Sequence, residues 1–86
     1  MTYSTRFTQD ARAELRAVEL KTARRILAKL TELETDPYGL GTTPLVGEPE
    51  VRRLRVGDWR VFYTVRRDEL LILVVRVAHR SVAYDT

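Results

Sequence analysis

The chain has 86 residues, of which 44% are hydrophobic and 31% charged, and its formal net charge is +3 at neutral pH. This length allows one domain, residues 1–86, with a small core, and the balance of residues is typical of a folded protein. The chain has no cysteine. That excludes disulfides, thiolate metal ligands and a cysteine nucleophile, and it fits a reducing compartment such as the cytoplasm.

The first predicted elements are a short strand and a helix. Residues 3–7 alternate in period two, as strand residues do. Thr8 stands where a helix N-cap belongs. Ala11, Leu15 and Val18 then recur at the spacing of one helical stripe.

A second helix follows, with a wider apolar stripe and charged residues left for solvent. It ends before Asp36-Pro37, because the residue before a proline avoids helical backbone angles. The stripe consists of Ala23, Ile26, Leu27, Leu30 and Leu33.

The second half predicts a loop and then strands. Residues 36–50 hold all three prolines and three of the four glycines, which indicates an ordered loop. Period two returns in residues 51–56 and 59–65, around a tight turn at Gly57-Asp58. Residues 70–78 are almost wholly apolar and predict a central strand buried on both faces. A last short element, or fifth strand, is expected around residues 81–84.

The predicted order is therefore β-α-α-β-β-β. Two amino-terminal helices packed on one face of a small, mostly antiparallel sheet form a reasonable α+β domain. No hydrophobic leader opens the chain, and its longest apolar run is too short to span a bilayer. We therefore expect no membrane partner.

Positive charge is concentrated in the second half of the chain. Residues 1–50 carry a net charge of −1, whereas residues 51–84 carry eight arginines against three acidic side chains. Arginine presents a planar set of donors suited to phosphate. The asymmetry indicates either a polyanion partner such as nucleic acid or a salt-bridged, solvated sheet edge.

Three of these arginines are expected to lie together. Arg53 and Arg55 share one strand face, and Arg60 begins the next strand after the turn. Like charges on paired strands repel, so the cluster does not stabilise the sheet by itself. A bound phosphate would relieve that repulsion, whereas ion pairing would make the cluster an ordinary surface.

His79 and Tyr84 are further candidates. His79 is the only histidine. It is either a surface or hydrogen-bonded residue or, beside Arg80, a general acid or base near neutral pH. Tyr84 is either an edge core residue or a platform on which a base stacks.

Other chemistry is nearly excluded. No cluster of histidine and carboxylate residues has metal-ligand spacing, and no glycine-rich phosphate loop opens a helix. We therefore expect neither a metal nor a cofactor. Metal-free RNA cleavage remains feasible, because RNA supplies its own nucleophile, the 2′-hydroxyl, and the protein needs only to orient it and to stabilise charge.

Residues 51–63, VRRLRVGDWRVFY, strongly resemble the central hairpin of RelE-family toxins. Ala78-His79-Arg80 followed by Tyr84 is similar to the closing motif of that family. The helix beginning at Phe7-Thr8 and the Asp36-Pro37 stop also resemble the family. The resemblance therefore covers essentially the whole chain.

The resemblance implies a toxin of a type II toxin–antitoxin system that cuts mRNA in the ribosomal A site without a metal. It also implies a RelB-like antitoxin as partner. Arg53 and Arg55, with Arg52 beside them, would bind RNA phosphates. Arg60 would stabilise the reacting phosphate, Arg80 would act at the leaving group, and Tyr84 would stack on the base.

Two departures from the family pattern matter. Arg53 and Arg55 stand where the best-known RelE has lysines, and arginine does not readily accept a proton. Either His79 does the acid–base work, or catalysis is mostly electrostatic, or the enzyme is slow. The chain also ends two residues after Tyr84, so the carboxy-terminal helix of some relatives is expected to be absent.

Two other functions fit the same resemblance. The first is a ParE-like inhibitor that binds DNA gyrase and does no chemistry. The second is a weakly active or inactive relative that only binds RNA or an antitoxin. Retention of Arg60, Arg80 and Tyr84 favours the nuclease.

Overall fold

The computed structural model describes residues 2–39 and 41–83, with Ala83 described by its backbone alone. The described part contains five strands and three helices. In chain order they are β1 (Ser4–Phe7), α1 (Gln9–Arg16), α2 (Leu20–Leu33), β2 (Thr42–Leu45), β3 (Glu48–Val56), β4 (Trp59–Arg66), β5 (Leu71–His79) and α3 (Arg80–Ala83).

The strands form one sheet in the order β1-β5-β4-β3-β2. β1 runs parallel to β5, and the other three pairs are antiparallel. A parallel neighbour needs a crossover connection, and here the chain passes from β1 through α1 and α2 to β2 at the opposite edge before it returns through β3 and β4 to β5. The predicted α+β fold with a mostly antiparallel sheet is confirmed.

The main core lies between the two long helices and one face of the sheet, called here the helix side. Thr8 caps α1, since its hydroxyl accepts the Ala11 N–H at 3.2 Å. α2 buries Ile26, Leu30 and Leu33. These side chains pack with a row of strand residues that includes Leu54, Val56, Val61, Tyr63, Ile72, Val74 and Val77. Burial of one such aliphatic side chain contributes roughly 1.5–3 kcal/mol.

Leu27 was predicted to join the buried stripe of α2, and that prediction is wrong. Its side chain is 43% exposed, whereas Leu30 is 1% exposed. The buried stripe is narrower than the sequence shows: Ile26, Leu30 and Leu33 are buried, and Ala23 packs against the same core while partly buried.

The predicted loop of residues 36–50 contains a strand. β2 pairs with β3 from Thr42↔Leu54 to Pro44↔Arg52, and a register shift follows before Leu45. Proline within the segment indicated a loop, but β2 is the edge strand of the sheet, where a missing N–H is tolerated. The glycines flank the strand, and Gly41 and Gly47 have φ values of 88° and 87°.

The end of the chain also differs from the prediction. Residues 80–83 form the helical turn α3 rather than a fifth strand. β5 is not buried on both faces along its length: Leu71, Leu73 and Val75 are only partly buried. The face away from the helices, called here the outer side, carries only a small apolar cluster around Phe62 and Ala78.

A bulge in the β4–β5 pair decides which side chains share a face at the end of β5. The register shifts between Phe62↔Arg76 and Tyr63↔Val74. Beyond the bulge, Ala78 pairs with Arg60 and His79 pairs with Trp59. An extra residue exchanges the faces along the bulged strand, so Val77 returns to the main core.

Glu14 has a structural position that the sequence does not reveal. β1 covers β5 only as far as Val74, which leaves the following backbone groups without a neighbouring strand. The Val77 N–H donates to Glu14 Oε1 at 2.7 Å, and Arg76 Nε lies 3.9 Å from Glu14 Oε2. The Glu14 carboxylate therefore closes an open edge of the sheet.

Candidate nucleic-acid interface

The β3–β4 hairpin places three arginines on the outer side of the sheet. Leu54 and Val56 point into the main core, so the alternating residues Arg53 and Arg55 face outward. Arg60 is the direct cross-strand partner of Arg55. We call Arg53, Arg55 and Arg60 the arginine cluster. The structure brings these three predicted residues together.

The turn between β3 and β4 brings the guanidinium groups of Arg55 and Arg60 to the same carbonyl oxygen. Gly57 has a φ of 60°, which allows the tight turn. Its carbonyl oxygen accepts from Arg55 Nε at 3.4 Å and from Arg60 Nη1 at 3.3 Å. Arg60 Nη1 also donates to the Trp59 carbonyl at 3.2 Å. Two positive side chains are thus held side by side by backbone acceptors.

A shallow groove of about 280 Å³ runs beside the arginine cluster. One wall is the edge strand, where Gly41, Thr42 and Thr43 line the groove. Thr43 is the cross-strand partner of Arg53. Within residues 2–39 and 41–83, no carboxylate lies within 4.0 Å of a cluster guanidinium. The groove therefore offers guanidinium and hydroxyl donors with no carboxylate partner among the described residues.

The electrostatics of Arg60 reflect this crowding. Desolvation lowers the pKa of its guanidinium, and the positive charges of Arg55, Arg53 and Arg80 lower the pKa further. Only the Asp58 carboxylate raises it. An arginine stays protonated in a protein, so the cluster keeps its charge. A polyanion would relieve this repulsion.

Arg80 lies at the start of α3, next to the hairpin turn. Its backbone N–H donates to the Asp58 carbonyl at 2.7 Å. Its guanidinium Nε is 3.8 Å from Asp58 Oδ1, and both side chains are more than 60% exposed. Because its charge acts on Arg60, Arg80 extends the positive field of the arginine cluster to the carboxy-terminal end of β5.

Arg52 does not belong to the arginine cluster. It pairs with the buried Tyr63, which puts it on the helix side of the sheet. Its guanidinium donates to Thr42 O at 3.3 Å and Thr42 Oγ1 at 2.9 Å, and it lies 5.1 Å from the centroid of the Tyr38 ring. Alternation along β3 therefore places Arg52 away from the arginine cluster, where it joins β3 to β2 and to Tyr38 of the preceding loop.

His79 also lies on the helix side. Its imidazole packs edge-on against Trp59, with ring centroids 5.4 Å apart and an interplanar angle of 88°. It lines a small pocket with Thr22 and Arg25 of α2. His79 is therefore on the face of the sheet opposite the arginine cluster, and the structure does not bring the two together. The bulge in β5 is the physical reason, because Ala78 rather than His79 faces Arg60.

Tyr84 lies outside the described residues, so its stacking role stays a prediction from the resemblance. Within the described residues, no group of three or more histidine, aspartate and glutamate side chains could hold a metal ion. No helix of the described part is long and apolar enough to cross a membrane.

The groove wall from Gly41 to Thr43 is the part of the site that the sequence did not indicate. The sequence pattern gave little indication of it, because β2 has only four residues and contains a proline, which favoured a loop. The two adjacent threonines are residues that favour strands, and this was the only available hint.

An apolar hollow adjoins the arginine cluster on the outer side. Its volume is about 170 Å³, and Leu45, Val51, Phe62 and Val75 line it together with Glu48 and Arg76. The outer side thus combines a basic groove at the hairpin turn with an apolar surface toward the middle of the sheet.

Comparisons with known proteins agree on the fold. The archaeal RelE–RelB complex from Pyrococcus horikoshii matches with a TM-score of 0.81 and 26% identity, over 96% of this chain and 100% of that chain. An Escherichia coli RelE mutant bound to an antitoxin RelBc peptide matches with a TM-score of 0.80 and 26% identity, over 99% and 93% of the two chains.

The RelBE2 toxin–antitoxin complex of Mycobacterium tuberculosis matches with a TM-score of 0.82 and 24% identity, over 93% of this chain and all of that chain. Among curated protein sequences none is significantly similar to the chain. The family model described as "ParE toxin of type II toxin-antitoxin system, parDE" matches residues 5–84. This chain therefore belongs to that family and is a toxin of a type II toxin–antitoxin system in the RelE/ParE superfamily.

Proposed function

We propose that this toxin is a ribosome-dependent endoribonuclease that cuts mRNA without a metal. The observation that carries the proposal is the arginine cluster. Arg55 and Arg60 are paired directly across the hairpin, and desolvation together with the charge of Arg55 lowers the pKa of Arg60. A scaffold with no anionic ligand would avoid such a pair. A chain of phosphates is the ligand that fits it.

In the proposed reaction the 2′-oxygen attacks the adjacent phosphorus in line with the 5′-oxygen of the next nucleotide. A bond from the 2′-oxygen to phosphorus forms and the bond to the 5′-oxygen breaks. The products are a 2′,3′-cyclic phosphate and a 5′-hydroxyl. The 2′-hydroxyl loses its proton to water, and the leaving 5′-oxygen takes one proton from water.

The arginines act through charge in this scheme. Arg60 donates hydrogen bonds to the negative oxygens of the phosphorane, while Arg53 and Arg55 hold the flanking phosphates. Arg80 donates a hydrogen bond to the departing 5′-oxygen, and Tyr84 stacks on the neighbouring base. Each guanidinium remains protonated, so the contribution of the protein is positioning and electrostatic stabilisation.

The proposed partners follow from the same scheme. The substrate is mRNA in the ribosomal A site, which places the activity in the cytoplasm. A RelB-like antitoxin is the proposed inhibitor, because solved relatives are complexes with RelB-type antitoxins. The adjoining apolar hollow and basic groove are exposed in the free toxin. Inhibition then requires only that a bound antitoxin covers them.

A second function is favoured by the family match itself, which names ParE. A ParE-like toxin would bind DNA gyrase and do no chemistry. In that case the arginine cluster would contact acidic surface of the enzyme or its DNA. The fold is shared, so the fold does not separate the two functions.

Controlled expression in bacteria, with mapping of mRNA 5′ ends, tests the proposal. We expect new 5′ ends inside translated codons with the wild-type toxin and their loss in Arg60→Gln and Arg80→Ala. Arg67→Ala is the matched control, since Arg67 is an exposed arginine in the β4–β5 turn, away from the cluster. Filamentation with intact mRNA and inhibited gyrase supercoiling would instead support the ParE-like function.

A further inference from the structure

His79 stands where β5 ends and α3 begins, and its ring is bonded to the turn. The Ser81 N–H donates to His79 Nδ1 at 3.2 Å, and Ser81 Oγ lies 3.0 Å from the same atom. A backbone N–H can only donate, so Nδ1 is an acceptor. The neutral ring therefore carries its proton on Nε2.

The ring that supplies this acceptor is itself fixed by the sheet. Trp59 is the cross-strand partner of His79 and meets it edge-on at 5.4 Å. Trp59 packs against the main core. The position of Nδ1 is thus set by rigid parts of the fold and not by the mobility of α3.

Arg80 lies between the two bonded residues. The Arg80 backbone N–H donates to the Asp58 carbonyl oxygen at 2.7 Å. The N–H of the next residue, Ser81, donates to His79 Nδ1. The backbone of Arg80 is therefore tied to the hairpin turn on one side and to β5 on the other. Its side chain then remains near Asp58, where its charge acts on Arg60.

We propose that His79 is a positioning residue, which holds Arg80 beside the arginine cluster through the Ser81 N–H to Nδ1 hydrogen bond. The role of Arg80 in cleavage belongs to the proposed function, on which this inference rests, but the hydrogen bond does not depend on it. His79 acts from the helix side of the sheet, where it has no access to the groove. It serves the site by orienting the backbone and transfers no proton.

Two substitutions of His79 test its hydrogen-bond acceptor and its aromatic ring separately. His79→Phe keeps an aromatic ring against Trp59 and removes the acceptor. His79→Asn removes the ring and keeps an acceptor, because asparagine is a favoured residue at the start of a helix. Hydrogen exchange of the free, full-length toxin is followed by NMR at the Ser81 and Arg80 amides, with Tyr63 as a folding control.

We expect both amides to exchange about fivefold faster in His79→Phe, as for loss of a helix cap, and to match wild type in His79→Asn. Unchanged exchange in His79→Phe, or faster exchange at Ser81 without a change at Arg80, would overturn the inference.

Cleavage on ribosomes adds a separate readout. We expect His79→Phe to cleave mRNA about fivefold more slowly, with rescue in His79→Asn, in line with the loss of one cap. If His79→Phe cleaves at the wild-type rate despite lost protection, the positioning role is wrong. If the wild-type toxin does not cleave mRNA but the exchange rates are as expected, the nuclease function is wrong. The positioning of the Arg80 backbone by His79 is then still supported.

Discussion

Arg55 and Arg60 are direct partners across the β3–β4 hairpin, and both donate to the carbonyl oxygen of Gly57, at 3.4 and 3.3 Å. Two like charges in this arrangement repel each other. The fold thus keeps a locally unfavourable pair at a place that faces solvent and a groove. Such a conflict between stability and local charge is typical of a binding site.

Removal of one charge from this pair should stabilise the toxin and weaken its binding of RNA. We expect Arg55→Gln to raise the free energy of unfolding by about 0.2–1 kcal/mol, the usual size of a cross-strand charge effect. Urea denaturation measures the stability, with Arg67→Gln as the control. A loss of stability in Arg55→Gln would show that the pair is compensated within the fold.

The salt dependence of RNA binding should report how many phosphates the arginine cluster binds. We expect the slope of log K against log salt to become shallower by about 0.7 in Arg60→Gln, because each phosphate neutralised on a single strand contributes that amount. Fluorescence anisotropy with a labelled single-stranded RNA measures the slope. Arg67→Gln should leave it unchanged, and an equal loss in both variants would point to non-specific attraction.

Arg52 should contribute to the stability of the fold and not to the binding of RNA. It joins β2 to β3 through two hydrogen bonds to Thr42 and stacks on Tyr38. We expect Arg52→Leu to destabilise the fold by about 1–3 kcal/mol, since bonds made by a charged group are lost. The slope of RNA binding against salt should match wild type when measured below the unfolding transition. A shallower slope would return Arg52 to the phosphate-binding group.

Leu30 and Leu27 give a matched pair on one helix. Leu30 is 1% exposed and Leu27 is 43% exposed. We expect Leu30→Asp to destabilise by several kcal/mol, because it places an unpaired charge in a small core. Leu27→Asp should change the stability by less than about 1 kcal/mol. Thermal unfolding followed by circular dichroism compares them, and equal melting temperatures would contradict the packing of α2.

Glu14 should be needed to close the open edge of β5. Glu14→Ala leaves the Val77 N–H without its acceptor, which costs about 1–3 kcal/mol for a buried donor. Glu14→Gln keeps an acceptor and should lose less. Exchange of the Val77 amide, measured by NMR, distinguishes the two variants. Equal protection of that amide in Glu14→Ala and wild type would remove this role.

The sequence predicted those parts of the fold that depend on local pattern. Alternation in residues 51–65 and the Gly57-Asp58 turn were enough to place Arg53, Arg55 and Arg60 on one face. The helical periods located α1 and α2. These features need only neighbouring residues, and the structure confirms them.

Features that depend on distant pairing were not predictable in the same way. β2 is a strand because it lies beside β3, although its own residues indicate a loop. The faces of Ala78 and His79 are set by a bulge opposite Phe62 and Tyr63, which no pattern in β5 reveals. That bulge is the reason why His79 lies on the face opposite the arginine cluster.

Cleavage of RNA by the arginine cluster on the ribosome is tested by primer extension on a defined mRNA after incubation with ribosomes and purified toxin. Wild type, Arg60→Gln and Arg67→Gln are compared. For the proposed nuclease we expect breaks within A-site codons with wild type and Arg67→Gln, and an intact transcript with Arg60→Gln. An intact transcript with wild-type toxin, together with inhibition of gyrase supercoiling by the same sample, would contradict it.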